Sequence, residues 1–224
     1  MYAQLVPEDQ KKPCVTIAIA YNDEYSDVER MNDLPEEQLK LFDGYIVQGG
    51  AEFYPYHFQI IHDAVVNHKR LLGICLGEQL IYVYFALKKM VEEQGYEGDL
   101  VKAICDLREK NGPDFSVLKA IPDHRSAPTT RGNEDEAKHN VNVVPGTILH
   151  RLVGRDTIRA ASFHSLNVPP EQDLVTISAW SAKGDGVVEG VEYGDNLFGL
   201  QFHPEMDELL PEIFTFLTEE DSHE

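Results

Sequence analysis

"LLGICLGEQL", residues 71–80, sets one cysteine, Cys75, between Gly73 and Gly77 where an apolar run gives way to a helical pattern. "LLGI" reads as a buried strand, and "GEQLIYVYFALKKMVEEQG" (77–95) as a long helix whose first half is apolar almost all round and therefore buried. A side chain at so sharp a strand-to-helix turn takes a strained backbone conformation, and small neighbours give strand and helix room to approach. The helix N-terminus then points its positive dipole end at the sulfur, which favours the thiolate. Cys75 is thus either a presented nucleophile or, taken alone, a small buried hydrophobe.

The strand before and the pieces after place this turn in a larger pattern. "CVTIAIAY" (14–21) is a β-branched buried strand, "LPEEQLKLF" (34–42) a helix with acidic residues near its start, and "DGYIVQGG" (43–50) a second buried strand. "YHFQIIHDAVVNHK" (56–69) carries a helical stripe through Phe58, Ile61, Ala64 and Val65. Strand and helix alternate, which predicts an α/β sheet wound by right-handed crossovers, with chemistry at the carboxyl ends of its strands. "GDLVKAICDLREKNG" (98–112) is a further possible helix, and "DHRSAPTTRGNEDEAKHN" (123–140) a polar loop. From "NVNVVPG" (140–146) onward short strands alternate with turns, "KGDG" (183–186) and "YGDN" (193–196) supplying hairpin residues, before a closing amphipathic helix in "PEMDELLPEIFTFLTEE" (204–220). Neither an internal repeat nor a linker interrupts residues 1–224, which read as one domain.

Composition narrows the function. With 39 acidic residues against 19 basic ones and a net charge of -20, nucleic acid and anionic membrane surfaces are poor partners. Three cysteines, Cys14, Cys75 and Cys105, form neither a disulfide framework nor a zinc motif, and no run approaches a membrane span, so a cytoplasmic protein is expected. The histidines show no metal-ligand spacing, and neither metal nor organic cofactor is implied.

A thiolate attacking an amide needs a base, and the base a third group to orient it. "LFGLQFHPEM" (197–206) offers both at the end of an apolar strand: His203, and Glu205 two residues on, with Pro204 fixing the turn. The oxyanion of the tetrahedral intermediate needs donors, for which the backbone amides of Leu76 and Gly50 are the candidates. Gly49 either shapes that loop toward the substrate or answers turn geometry alone.

In this order "GICLGEQ", "QGG" and "LQFHPE" resemble the nucleophile, oxyanion and His-Glu motifs of the class I glutamine amidotransferase superfamily. "KAIPDHR", "HNVNVVPGTILHRLVG", "SFHSLNV" and "DGVVEGVE" are more narrowly similar to its gamma-glutamyl-gamma-aminobutyrate hydrolase group, and the likeness spans residues 41–90 and 119–217. The resemblance implies a flavodoxin-like three-layer α/β/α sandwich with a mostly parallel sheet and a small antiparallel region in the second half. It further implies hydrolysis of a gamma-glutamyl amide through a thioester on Cys75, His203 acting as base then acid and Glu205 orienting it. Gln79 and the backbone near Ser165 and Leu166 match positions that contact the glutamyl moiety, Gln79 being otherwise an ordinary first-turn helix residue. Ser162 and His164 flank the site, His164 with no chemistry assigned.

Three functions follow: a stand-alone hydrolase with no synthase domain attached, a glutaminase subunit passing ammonia to a separate synthase, and a degenerate binding or regulatory module. Two departures bear on the choice. Glu78 stands where the family has histidine or methionine, and is expected either to oppose thiolate formation or to recognise a substrate amine. The N-terminus reaches its second strand by residue 45, which predicts a sheet short of one βα unit or an edge covered by another subunit, as in a homodimer.

Overall fold

The computed structural model describes residues 2–4, 16–20, 34, 36–50, 54–111, 117–121, 138–170, 174–207 and 210–218. Eleven strands and six α-helices occur among them. In chain order they are β1 (Tyr2–Gln4), β2 (Thr16–Ala20), α1 (Glu36–Leu39), β3 (Gly44–Val47), α2 (Pro55–Val66), β4 (Arg70–Ile74), α3 (Leu76–Glu93), α4 (Leu100–Asn111), β5 (Lys119–Ala120) and β6 (Lys138–Val143). Then come α5 (Ile148–Val153), β7 (Thr157–Ala161), β8 (Leu166–Asn167), β9 (Thr176–Ser181), β10 (Val188–Tyr193), β11 (Leu197–Leu200), a 3₁₀ turn at Pro204–Met206, and α6 (Leu210–Thr218).

Nine strands form one sheet in the order β1-β2-β3-β4-β11-β10-β9-β6-β7. Its centre, β2-β3-β4-β11, is parallel. The strands of the second half extend the same sheet in antiparallel fashion through β10, β9, β6 and β7, and β5 with β8 makes a separate two-stranded antiparallel ribbon. This is the α/β sandwich the alternation of strands and helices predicts. Buried β3 and β4 alternate their side chains between two cores. Tyr45, Val47 and Leu71 pack with α2, α3 and Ile104 of α4, whereas Ile46, Leu72 and Ile74 pack with Leu149 and Val153 of α5 and Ile213, Phe216 and Leu217 of α6.

Two elements depart from expectation. "TILHRLVG" begins a helix rather than another strand: Thr147 Oγ1 accepts a hydrogen bond from the His150 amide at 3.2 Å, and Gly154 closes α5 in the left-handed region. Both caps stand in the sequence, but one and a half turns of helix carry too little periodicity to reveal it. At the other end, the edge of β2 is covered within the chain, and β1 becomes the outermost strand. Tyr2–Gln4 of the same chain pairs with β2, antiparallel, with Tyr2 opposite Ala18. The polar loop at 123–137 and Cys14 lie outside the described residues.

Gly73 and Gly77 fix how closely β4 and α3 approach. A Cβ on Gly73 would stand 2.6 Å from the Gly77 carbonyl carbon, and one on Gly77 would stand 2.1 Å from the Val47 carbonyl oxygen. These are backbone atoms of a sheet and a helix, which have no free rotation by which to give way. Gly77→Ala is accordingly expected to cost about 3 kcal/mol or more, read as a lowered thermal midpoint or as loss of soluble protein.

Candidate active site

Cys75 occupies the single residue between β4 and α3, with φ 52° and ψ -103°, a conformation that non-glycine residues rarely adopt. The contacts around it hold this strain: its amide donates to the Leu200 carbonyl at 2.7 Å, and its carbonyl accepts from the Gln79 amide at 3.3 Å. The side chain is thereby turned out of the sheet at the carboxyl end of β4, at the start of an 18-residue helix.

The next strand over, β11, delivers the imidazole. His203 follows Phe202 at the strand's end, and its backbone amide donates to the Ala161 carbonyl on β7 at 2.7 Å. Asp207 tightens the same junction: its carboxylate accepts from the Ala161 amide at 2.8 Å and pairs with Lys138 at 3.0 Å. Nδ1 of His203 lies 2.7 Å from Glu205 Oε1. Burial works against the imidazolium, but hydrogen bonds and charge from Cys75 and Glu205 outweigh it and raise the His203 pKa to about 10. The imidazole thus meets the Glu205 carboxylate directly and lies close enough to the Cys75 sulfur to respond to its charge.

Gly49 lies between them. A Cβ there would come 3.0 Å from His203 Cε1 and 3.9 Å from Cys75 Sγ, so only glycine leaves that space open. Gly50 follows at the exposed end of the loop, and the Leu76 amide belongs to the first turn of α3, where helix geometry supplies no partner. Phe163 is a neighbour the motifs did not single out. Its carbonyl oxygen is 3.9 Å from the sulfur and its ring meets that of His203 edge-on at 5.6 Å. The signal was present inside "SFHSLNV", but nothing local distinguishes this aromatic from one in a core.

The remaining site candidates are placed behind these residues. The Gln79 amide nitrogen donates to Gln201 Oε1 at 2.8 Å and to the Leu166 carbonyl at 3.3 Å, so in this structure it joins α3 to the neighbouring segment. The Leu166 carbonyl also accepts from His164 Nδ1 at 2.8 Å, and the Ser165 carbonyl accepts from the Ile121 amide at 3.0 Å. The Ser162–Leu166 segment meets the sulfur through Phe163.

Glu78 lies in the interior. Its carboxyl is fully buried, its Cγ only 2.8 Å from where a Gly199 Cβ would stand, and neither oxygen has a hydrogen-bond partner. It does not face a substrate amine. Burial first, then the charges of Glu189 and Cys75, hold it well above the usual carboxylate range. Among the described residues, no group of three or more His, Cys, Asp and Glu is placed to hold a metal ion.

A strained cysteine at a strand-to-helix turn and a His-Glu pair at the end of the neighbouring strand are residue types suited to thiol chemistry on an acyl group. The family model "Glutamine amidotransferase class-I" matches residues 15–209, and the chain belongs to that family. It is 25% identical over 207 residues to the CTP synthase of Halobacterium salinarum, covering 89% of this chain and 36% of that protein. With the CTP synthase of Thermosipho africanus it shares 28% over 198 residues, 80% of this chain and 36% of the other. The chain thus spans about a third of the length of these relatives, 36% in each case. Among solved structures, the CTPS glutaminase domain of Trypanosoma brucei with bound acivicin superposes with a TM-score of 0.59 at 18% identity, covering 87% of this chain and 77% of that one. These relatives are not specifically of the gamma-glutamyl-gamma-aminobutyrate hydrolase group. The segments that suggested that group, "SFHSLNV" and "DGVVEGVE", meet in space: Ser162 Oγ donates to Glu189 Oε2 at 3.1 Å, and the Val188 amide donates to Asn167 Oδ1 at 3.0 Å.

Replacing the unpartnered Glu78 by methionine, of similar length, removes two buried polar oxygens. Glu78→Met is expected to stabilise the fold by about 1–3 kcal/mol, seen as a higher midpoint in thermal unfolding.

Proposed function

We propose that this chain is a glutaminase that cleaves the side-chain amide of glutamine and hands the ammonia to a synthase partner. The observation that carries the reading is the Cys75–His203–Glu205 line, with Gly49 leaving space beside it. The Cys75 sulfur attacks the amide carbon, and the oxyanion that forms sits against the amides of Leu76 and Gly50. The His203 imidazolium gives its proton to the departing nitrogen, leaving a glutamyl thioester. Neutral His203 then takes a proton from water, which attacks the thioester, and glutamate leaves as the sulfur is released. Glu205 holds the ring through Nδ1, so that Nε2 is the working nitrogen.

The synthase partner is supported by likeness. Relatives at 25% and 28% identity are CTP synthases, and an 18% identical fold neighbour is a glutaminase domain. These favour coupling to a synthase over a free-standing hydrolase of other gamma-glutamyl amides. They also weigh, with the contacts among thiol, imidazole and carboxylate, against a disused site. We place the protein in the cytoplasm on its cysteine usage.

Purified protein incubated with glutamine is expected to release ammonia, at a rate that rises on mixing with an ammonia-accepting synthase, and Cys75→Ser should lower it by about a thousandfold or more. Absence of ammonia release with and without synthase would overturn the reading. The alkaline side of the pH profile tests the proton donor. His203 must be protonated when ammonia leaves, so kcat/KM should fall as pH rises through about 10. Glu205→Gln removes one of the two partners that raise the imidazolium, and should move this limb to lower pH.

A further inference from the structure

Glu189 lies at the start of β10, fully buried, and takes no part in the chemistry above. Its carboxylate nevertheless reaches the segment beside the nucleophile. Oε2 accepts from Ser162 Oγ at 3.1 Å, and Oε1 lies 2.8 Å from His139 Nε2 and 3.7 Å from His164 Nε2. Ser162, which Glu189 holds by a hydrogen bond, directly precedes Phe163, and His164, fastened through Nδ1 to the Leu166 carbonyl, directly follows it. Phe163 is the residue whose carbonyl approaches the Cys75 sulfur and whose ring packs on His203. The neighbouring Val188 amide fastens Asn167, four residues beyond Phe163, at 3.0 Å. Strand order separates β10 from β7 by β9 and β6, so these side chains, and no ladder between the two strands, tie the segment to β10.

We propose that Glu189 is a positioning residue for the glutamyl-binding side of the site, holding Ser162 and through it Phe163 against Cys75 and His203. This rests on the glutaminase reading above. A buried carboxylate is tolerated in a protein core only when hydrogen-bonded, and Glu189 has that arrangement with Ser162 and His139. The second buried carboxyl beside it, Glu78, is pushed well above the usual carboxylate range, first by its burial and then by the charge of Glu189. Losing the anchor leaves the thiol in place on its own strand and helix, but frees the segment against which the glutamyl group is laid.

The test compares two reagents at Cys75 of the full chain, followed by peptide mass spectrometry so that other cysteines do not interfere: a chloroketone analogue of glutamine, which needs the glutamyl site, and iodoacetamide, which does not. In Glu189→Gln the chloroketone should react about tenfold or more slowly, while iodoacetamide stays within about twofold of the parent. KM for glutamine should rise in parallel. Ser162→Ala, which removes only the hydroxyl, should shift the same ratio in the same direction, and carries the test if Glu189→Gln does not fold. A parent with chloroketone preference and variants that keep it would overturn the positioning role alone. A general loss of packing would alter both reagents together and would likewise overturn it. A parent whose Cys75 shows no preference for the chloroketone sinks the glutaminase reading, and this inference with it.

Discussion

The close contact of two backbones, β4 with α3, is the constraint on which the site depends. Without Cβ atoms at Gly73 and Gly77, strand and helix meet at distances that no other residue pair permits, and the one residue between them has no route except through positive φ. Holding Cys75 in that region costs on the order of 1–3 kcal/mol. The cost is offset because the turn is anchored on both sides, to the Leu200 carbonyl of β11 and within the first turn of α3. The sulfur is consequently aimed by the sheet and the helix together and does not rely on a mobile loop.

The other half of the site depends on a sheet rim. His203 and Glu205 sit in a tight turn after β11, but the turn is fastened to β7, four places away in the sheet, by the His203 and Ala161 backbones and the Asp207 carboxylate. The antiparallel second half of the chain thereby serves the parallel first half: β11 carries the imidazole to the edge, and β7 stops it from swinging away. Beneath this rim a polar layer replaces the usual apolar core. Gln79, Gln201, Glu189 and Ser162 connect α3, the end of β11, β10 and the segment after β7, so the floor of the site is held by directional bonds.

Much of this was legible beforehand, for identifiable reasons. Cys75, His203 and Glu205 stand in short motifs whose neighbours, Gly73, Gly77 and Pro204, are demanded by local backbone geometry, and such demands survive in sequence. The helix α3 and the buried strands announce themselves by apolar pattern. What escaped was set by contacts between distant segments or by elements too short to show a period. Helix α5 is six residues long and β1 three. Phe163, Gln201 and Asp207 acquire meaning only from what lies opposite them. The burial of Glu78 escaped too, because a sequence cannot tell that Gly199 leaves room for its Cβ and Cγ, a burial that pushes the carboxyl well above its usual range.

The sequence by itself determined the α/β order, the strand-to-helix turn at residue 75 and the residue types able to perform acyl chemistry, since each follows from periodicity or from steric limits within a few residues. Only the tertiary structure decided that imidazole and thiol both stand beside Gly49, that Gln79 turns toward Gln201, and that the segment around Phe163 is tied to Glu189. The reason is that hydrogen bonding and desolvation act through distance in space, and residues 75, 163, 189 and 203 become neighbours only after the sheet has closed around them.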